Sequence, residues 1–272
     1  YKMLKDITLG QFFPGKSLLH RTDPRIKLII LVVYLIMVLA AKSITGVIFI
    51  ALVTFALVMA SQINLRIIAK SLKPLAFILI FTAVINIFFV SGETPVFEWR
   101  FIHIYKEGLI NAALMMIRLI SLIAGTSVLL TYTTSPLELT DALERPLSPL
   151  KKIKVPVHEF AMMMTIALRF IPTLIEETDK IISAQKARGA DFETGSLLKR
   201  AKALIPILIP LFVSAFRRAD ELAEAMECRC YKGGEGRTKM KQMKSHPSDY
   251  VFLIIMISLC VSVYYIDTLR LI

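Results

Sequence analysis

The chain has 272 residues, of which 56% are hydrophobic, and a formal net charge of +12 at pH 7. High apolarity combined with strong basicity is typical of an integral membrane protein with a basic cytoplasmic side. Nucleic-acid binding is not favoured, because the basic residues flank apolar stretches and form no stripe with interleaved aromatic residues. The three cysteines cannot make a disulfide framework, and the four histidines have no metal-ligand spacing.

Five apolar runs are long enough to cross a bilayer once flanking residues are included. They cover residues 26–41, 44–60, 74–90, 109–132 and 250–266. Asp23-Pro24 precedes the first run and predicts a helix start, with aspartate as the N-cap and proline at the first helical position. We therefore expect an all-α integral membrane protein with about five transmembrane helices.

The distribution of lysine and arginine predicts the orientation of these helices. Basic residues are frequent in the N-terminal segment, in residues 66–73 and in residues 145–244. They are less frequent around Lys42, in residues 91–108 and in the C-terminal tail. Because basic loops stay in the cytoplasm, the N-terminus is expected inside and the C-terminus outside.

The pattern predicts three domains: an N-terminal membrane domain of four spans (1–134), a cytoplasmic domain (135–248) and a C-terminal transmembrane helix (249–272). The cytoplasmic domain begins with a short helix, whose start is a capping box of Ser135 and Glu138. Pro146 and Pro149 are expected to end this helix.

Two long helices follow in the cytoplasmic domain, over about residues 157–187 and 196–227. Pro172 is expected to kink or break the first of them near its middle. The second has an apolar centre with two prolines, which is too short to be assigned as a span. A sixth span therefore stays open as an alternative.

Each long helix ends in an arginine motif. The first is KARGADF, with Ala187, Arg188 and Gly189 at its centre, and the second is ECRCYKGGEGRT, with Cys228, Arg229 and Cys230 at its centre. A guanidinium at a rigid helix end can pair bidentately with a carboxylate in a partner's groove. The alternative is a capped helix end, in which glycine takes the left-handed conformation and the cation suits the helix dipole.

Two polar residues, Arg118 and Asn86, lie within the predicted spans. An arginine at mid-bilayer depth is costly and should face protein or water. It could serve a transport path or contact a partner. The structural alternatives are a hydrogen bond from Arg118 to the backbone or to Asn86, or snorkelling towards the outer face.

No motif for catalysis or ion coupling is visible in the sequence. GGEGRT does not match a phosphate-binding P-loop, and nucleophile-elbow and HExxH patterns are absent. The five predicted spans also contain no carboxylate, which a carrier driven by protons or sodium would usually need. We therefore expect the energy for its function to come from a partner protein.

Four segments together resemble the transmembrane coupling (T) component of energy-coupling factor transporters, which are ABC-type importers of vitamins and trace metals. The segments are PGKSLLHRTDPRIKL, TTSPLELTDALE, ALRFIPTLIEETDKIISAQKARGADF and EAMECRCYKGGEGRT. The resemblance implies a cytoplasmic module of long crossed amphipathic coupling helices, with Arg188 and Arg229 docking into grooves of two ABC ATPase subunits. The second motif departs from the Ala-Arg-Gly pattern, and Gly233-Gly234 are expected to supply the terminating glycine there.

The resemblance also implies a function. The chain would transmit ATP-driven motions of the two ATPases to a substrate-binding membrane S component, for vitamin uptake across a prokaryotic plasma membrane. ATP and magnesium would be bound by the partner ATPases, and no cofactor or metal by this chain. The alternatives are a dedicated cobalt or nickel transporter subunit, a self-sufficient secondary transporter and, from another class, a membrane-bound enzyme.

Overall fold

The computed structural model describes residues 12–15, 17–90, 94–99, 102–190, 192, 196–234 and 245–269. Nearly all of them are helical, which confirms the predicted class. The α-helices are α1 (Leu18–Arg21), α2 (Pro24–Ala40), α3 (Ile44–Ser61), α4 (Leu65–Leu72), α5 (Ala76–Phe89), α6 (Lys106–Thr126), α7 (Pro136–Leu147), α8 (Val157–Ala187), α9 (Leu197–Cys228) and α10 (Pro247–Thr268). A π-helical segment, Ser127–Tyr132, extends α6, and 3-10 turns cover Lys73–Leu75 and Ser148–Ile153.

A short hairpin between α5 and α6 is not helical and was not predicted. Its strands, β1 (Pro95–Trp99) and β2 (Ile102–Tyr105), pair antiparallel with a register shift near Pro95. The segment follows an apolar helix and is rich in aromatic and branched residues, which favour strands. From the sequence, residues 91–108 are expected only to be a connection poor in lysine and arginine.

Within the residues that the structure describes, five helical stretches are long and apolar enough to cross a membrane, which matches the predicted number. They are Ile44–Ser61, Leu65–Phe89, Lys106–Tyr132, Val157–Ala187 and Pro247–Thr268. The set differs from the prediction in one member. The predicted first span is α2, whose 17 residues fall just short of an 18-residue length, whereas α8 was predicted as a cytoplasmic helix.

The helix starts follow the sequence signals, and α7 ends at Leu147, between Pro146 and Pro149, as expected. Asp23 caps α2 by accepting the N–H of Arg25 at 2.9 Å. Ser135 accepts the N–H of Glu138 at 3.2 Å, and the capping box closes through the Glu138 carboxylate. Of the kink or break expected at Pro172, the break does not occur, because α8 continues through this exposed residue. Proline supplies no N–H there, so one hydrogen bond of the helix is missing one turn earlier.

The contacts divide the chain into two units. One, the core unit, comprises Gly10–Ala142 and Met243–Ile272, and the other, the two-helix unit, comprises Leu143–Gln242. In the core unit α2 is the central helix and packs against α3, α6 and α10. Ile30, Tyr34, Met37 and Val38 of α2 are fully buried there.

Polar contacts fix the packing around α2. The Tyr34 hydroxyl donates to the carbonyl of Ser121 at 2.7 Å and lies 2.8 Å from the hydroxyl of Thr54. The tyrosine ring lies against Gly125, where an added Cβ would approach the ring to 2.3 Å. A glycine is therefore required at this close approach, and the three helices α2, α3 and α6 are joined at one point.

A buried lysine joins the N-terminal end of α2 to the end of the π-helical segment. Lys27 donates to the carbonyl of Thr133 at 2.8 Å and to the hydroxyl of Thr134 at 3.2 Å. Buried polar groups are rarely stable without such partners. The lysine thus holds the chain where α6 leads into α7.

Candidate functional site

The first arginine motif closes α8 with a Schellman turn. Gly189 has a φ of 86°, in the left-handed region. Its N–H donates to the carbonyl of Lys186 at 2.9 Å, and the N–H of Ala190 donates to the carbonyl of Gln185 at 3.0 Å. These two bonds define the motif and satisfy carbonyls that the helix leaves open. Arg188 is therefore the last residue before the chain turns away.

The second arginine motif closes α9 with the same turn. The N–H of Cys230 donates to the carbonyl of Glu227 at 2.8 Å, and the N–H of Tyr231 donates to that of Met226 at 3.0 Å. Cys230 itself has a φ of 56°. The expectation that Gly233-Gly234 would terminate this helix is wrong, because the non-glycine Cys230 adopts the left-handed conformation. Arg229 therefore stands in the same backbone position as Arg188.

Gly234 has a different role, in packing. An added Cβ there would lie 2.4 Å from a ring carbon of His158, in the first turn of α8. The His158 ring nitrogen Nδ1 in turn lies 2.9 Å from the Glu144 carboxylate. The chain that follows the second motif thus passes close against α8, and only glycine fits at this approach.

The two motifs present an open, basic surface. Ala187, Arg188 and Gly189 are exposed, and so are Cys228, Arg229 and Cys230. The cysteine thiols are free. In the described part of the chain no ion pair is recorded for either arginine, and a cation suits the negative end of a helix dipole. Each helix end can therefore offer a guanidinium to an external carboxylate.

The helices α8 and α9 run antiparallel where they touch. Glu177 accepts hydrogen bonds from the Ser214 hydroxyl and from the Arg218 guanidinium, the latter at 2.9 Å. Further along α8, the Gln185 amide donates to the carbonyl of Pro206 at 3.4 Å. Residues later in α8 contact residues earlier in α9, so the two arginine motifs lie at opposite ends of the pair. At 1.5 Å per residue they are roughly 30–40 Å apart.

One surface of α9 is apolar and uncovered in the two-helix unit. Its large side chains recur every three or four residues, as on one side of a helix. They are Ile205, Leu208, Ile209, Phe212, Val213 and Phe216. A contiguous apolar patch of this kind marks a contact with a protein or with lipid.

The structure separates the two polar residues predicted within the spans. Arg118 donates from Nη2 to the carbonyl of Ala41, in the turn between α2 and α3. Asn86 donates to the carbonyl of Thr82 on its own helix at 2.9 Å. Arg118 thus makes the backbone hydrogen bond that we had considered as a structural alternative, and its partner is Ala41 instead of Asn86.

The sequence reasoning missed a carboxylate beside Arg118. Asp267, near the end of α10, accepts the backbone N–H groups of Lys42 at 2.7 Å and of Ser43 at 3.1 Å, as well as the Ser43 hydroxyl. The predicted fifth run ended at residue 266, one residue short of this aspartate. Placing the end of α10 one turn later would have revealed it.

The bridge from Glu177 to Ser214 and Arg218 was also missed. The partners of Glu177 lie 37 and 41 residues further along the chain. No local pattern indicates such a pairing.

Among the described residues, no group of three or more histidine, cysteine, aspartate or glutamate residues is arranged to hold a metal ion.

Comparison with known proteins gives consistent matches over almost the whole chain. A family model described as "CbiQ: Cobalt transport protein" matches residues 15–240. An "Energy-coupling factor transporter transmembrane protein EcfT" of Clostridium kluyveri is 53% identical over 263 residues, covering 96% of this chain and 97% of the relative. Proteins of the same name in Ruminiclostridium cellulolyticum and Bacillus subtilis are 56% and 46% identical. They cover 89% of this chain in both cases, and 90% and 91% of the relatives.

Proposed function

The chain belongs to the energy-coupling factor transporter transmembrane proteins (EcfT) of the CbiQ family, and from this premise we propose that it is a non-catalytic coupling subunit. It is a multi-pass membrane protein and a component of a transporter. In the proposed complex, two ABC ATPase subunits bind and hydrolyse ATP with magnesium. This chain passes their motion to a separate substrate-binding S component and needs no cofactor or metal of its own.

The observation that carries this proposal is the match between the two arginine motifs. Both helix ends have the same Schellman hydrogen bonds, place an exposed arginine at the same backbone position and lie at opposite ends of an antiparallel pair. A role in capping alone would not explain an arginine at both helix ends, because lysine or histidine interacts with the helix dipole equally well. Two equivalent docking points at a separation of roughly 30–40 Å suit two related partners.

The remaining features of α8 and α9 supply a route for motion. The Glu177 bridge joins the two helices between their arginine ends. A displacement of one helix is therefore transmitted to the other. The apolar surface of α9, from Ile205 to Phe216, is the proposed contact for the S component within the membrane. The N-terminus and the two arginine motifs are then cytoplasmic, in accord with the charge distribution.

For the substrate we propose a vitamin, carried by exchangeable S components. Relatives at 45–56% identity are named energy-coupling factor transporter transmembrane proteins. The name specifies no substrate, which supports a coupling protein shared among S components. The alternative is a subunit dedicated to cobalt or nickel, since the matching family model is described by cobalt transport. Identification of the membrane proteins that co-purify with this chain separates the two.

Charge reversal at both motifs tests the docking role. We expect Arg188→Glu combined with Arg229→Glu to abolish co-purification of the ATPases and substrate uptake, since two favourable carboxylate contacts become repulsive. Each single change should weaken assembly at least about tenfold, because charged hydrogen bonds contribute about 1.5–3 kcal/mol each. Arg217→Glu, at an exposed position within α9, is the matched control and should retain both activities. Full assembly of the double variant would refute the docking role.

A further inference from the structure

The outward surface of α4 is a stripe of positive charge. Arg66, Lys70 and Lys73 are exposed and recur with the spacing of one helix face. The opposite face of α4 is anchored to the protein, with Ile68 buried and Ile67 packed against the hydrophobic core. The three cations therefore face away from the hydrophobic core and are available to contact molecules outside the protein.

The chain supplies no acidic residue nearby in sequence to neutralise this stripe. No aspartate or glutamate occurs between Asp23 and Glu93. Within the described residues, no ion pair is recorded for Arg66, Lys70 or Lys73. Three uncompensated cations on a helix surface repel one another, and an external anionic surface would relieve that repulsion.

The position of the stripe indicates where that anionic surface lies. Directly after Lys73 the chain continues into α5, where Phe77 and Phe81 are exposed and stacked with ring centroids 6.1 Å apart. The stretch Leu65–Phe89 is long and apolar enough to span a bilayer. Lys73 precedes Phe77 by one helical turn, about 6 Å along the axis. Cations at this distance from lipid-facing aromatic residues lie at the depth of lipid headgroups.

We propose that the Arg66, Lys70 and Lys73 stripe of α4 is a binding surface for the headgroups of anionic phospholipids in the surrounding bilayer. The inward isoleucines hold α4 in place, and the outward cations contact lipid phosphates. This surface belongs to the core unit, whereas both arginine motifs belong to the two-helix unit. Its role does not depend on the docking of the motifs to ATPases.

A local tryptophan reporter tests the proposal on the full chain. Trp99 is the single tryptophan of the sequence, so Trp99→Phe with Ala69→Trp places the reporter on the exposed side of α4. The protein is reconstituted in equimolar phosphatidylcholine and phosphatidylglycerol vesicles, with either one lipid or the other carrying brominated acyl chains. The quenching ratio is the quenching by brominated phosphatidylglycerol divided by the quenching by brominated phosphatidylcholine. We expect this ratio to be about three or more, and to fall as the salt concentration is raised.

Two variants locate the effect. Replacing Arg66, Lys70 and Lys73 together by glutamine should bring the quenching ratio to about one. The matched control replaces the exposed Lys199, Lys202 and Arg217 of α9 by glutamine, removes the same charge and should leave the ratio unchanged. If the α4 triple variant is unstable, the single substitutions and the salt series in the unaltered stripe give the same readout.

Three results would overturn the proposal. One is equal quenching by the two brominated lipids in the protein with the intact stripe. Another is a preference that survives the α4 triple substitution or that falls equally in the α9 control. The third concerns the α4 triple variant. If its quenching ratio falls to about one but the variant also loses a co-purifying protein, the stripe is assigned to a protein interface.

Discussion

At the scale of single residues, Cys230 occupies a backbone position that glycine favours. Its φ of 56° lies in the left-handed region, where a Cβ costs on the order of 1 kcal/mol. The first motif has Gly189 at the equivalent position and avoids this cost. The Schellman hydrogen bonds are nevertheless the same at both ends, so the geometry that presents Arg229 is retained at some expense in stability.

Substitution of Cys230 should therefore change stability in a direction set by backbone conformation. We expect Cys230→Gly to raise the free energy of unfolding by about 0.5–1 kcal/mol and Cys230→Val to lower it by about 1 kcal/mol or more. Cys228→Gly is the control with the opposite sign, because it places glycine in the last turn of α9. Thermal unfolding of the purified protein in detergent measures all three. A stabilising Cys228→Gly alongside a destabilising Cys230→Gly would contradict the assigned helix end.

At the scale of helices, one carboxylate makes two of the polar contacts between α8 and α9. Glu177 accepts from both Ser214 and Arg218, whereas the neighbouring Glu176 is exposed. Pairs at partly exposed positions contribute only about 0.5–1 kcal/mol to stability. The bridge is therefore more important for the geometry of the helix pair than for its stability.

This distinction predicts different effects on folding and on transport. Glu177→Gln and Arg218→Gln should each lower uptake severalfold, while the free energy of unfolding falls by only about 1 kcal/mol or less. The exchange Glu177→Arg with Arg218→Glu should restore part of the uptake, because the ion pair is rebuilt in the opposite sense. Glu176→Gln is the control for loss of charge alone and should be silent. If the exchanged pair is no better than the single variants, the bridge does not position the two helices.

At the scale of the whole molecule, the parts that were predictable from sequence rest on local signals. The helix start at Asp23-Pro24 and the capping box of Ser135 and Glu138 involve groups within three residues of one another. The apolar runs reflect burial or lipid contact, averaged over many residues. These signals are strong because neighbouring side chains alone determine them.

The features that could not be predicted depend on tertiary contacts. α8 continues through Pro172 although a proline inside a helix locally favours a kink or a break. The bond from Arg118 to Ala41 spans 77 residues. The contacts of Asp267 with the turn at Lys42 and Ser43 connect distant parts of the chain as well. Such pairings are decided by packing and have no period or spacing in the sequence.

The number of bilayer crossings is the remaining question of topology, because α8 is long and apolar enough to span as well. The charge distribution predicts that α8 stays on the cytoplasmic side with both arginine motifs. If α8 crossed the bilayer after the four preceding predicted spans, Arg188 would emerge outside. If α8 crossed, the antiparallel α9 would return Cys228 and Cys230 to the cytoplasmic side, so these cysteines do not report the difference. A cysteine at the exposed Ala187, next to Arg188, does report it.

Labelling of intact cells with a membrane-impermeant maleimide distinguishes the two topologies. We expect Ala187→Cys, in a background with Cys228→Ser and Cys230→Ser, to react only after the cells are permeabilised, because residues 145–244 are rich in lysine and arginine and such segments stay in the cytoplasm. Lys42→Cys, in a background with Cys228→Ser and Cys230→Ser, reports the exposed turn between α2 and α3 and should react in intact cells. Cys260 is partly buried in α10, and its reactivity in the same background without Lys42→Cys provides the baseline. Reaction of Ala187→Cys in intact cells would instead place the end of α8 outside and remove Arg188 from the reach of cytoplasmic ATPases.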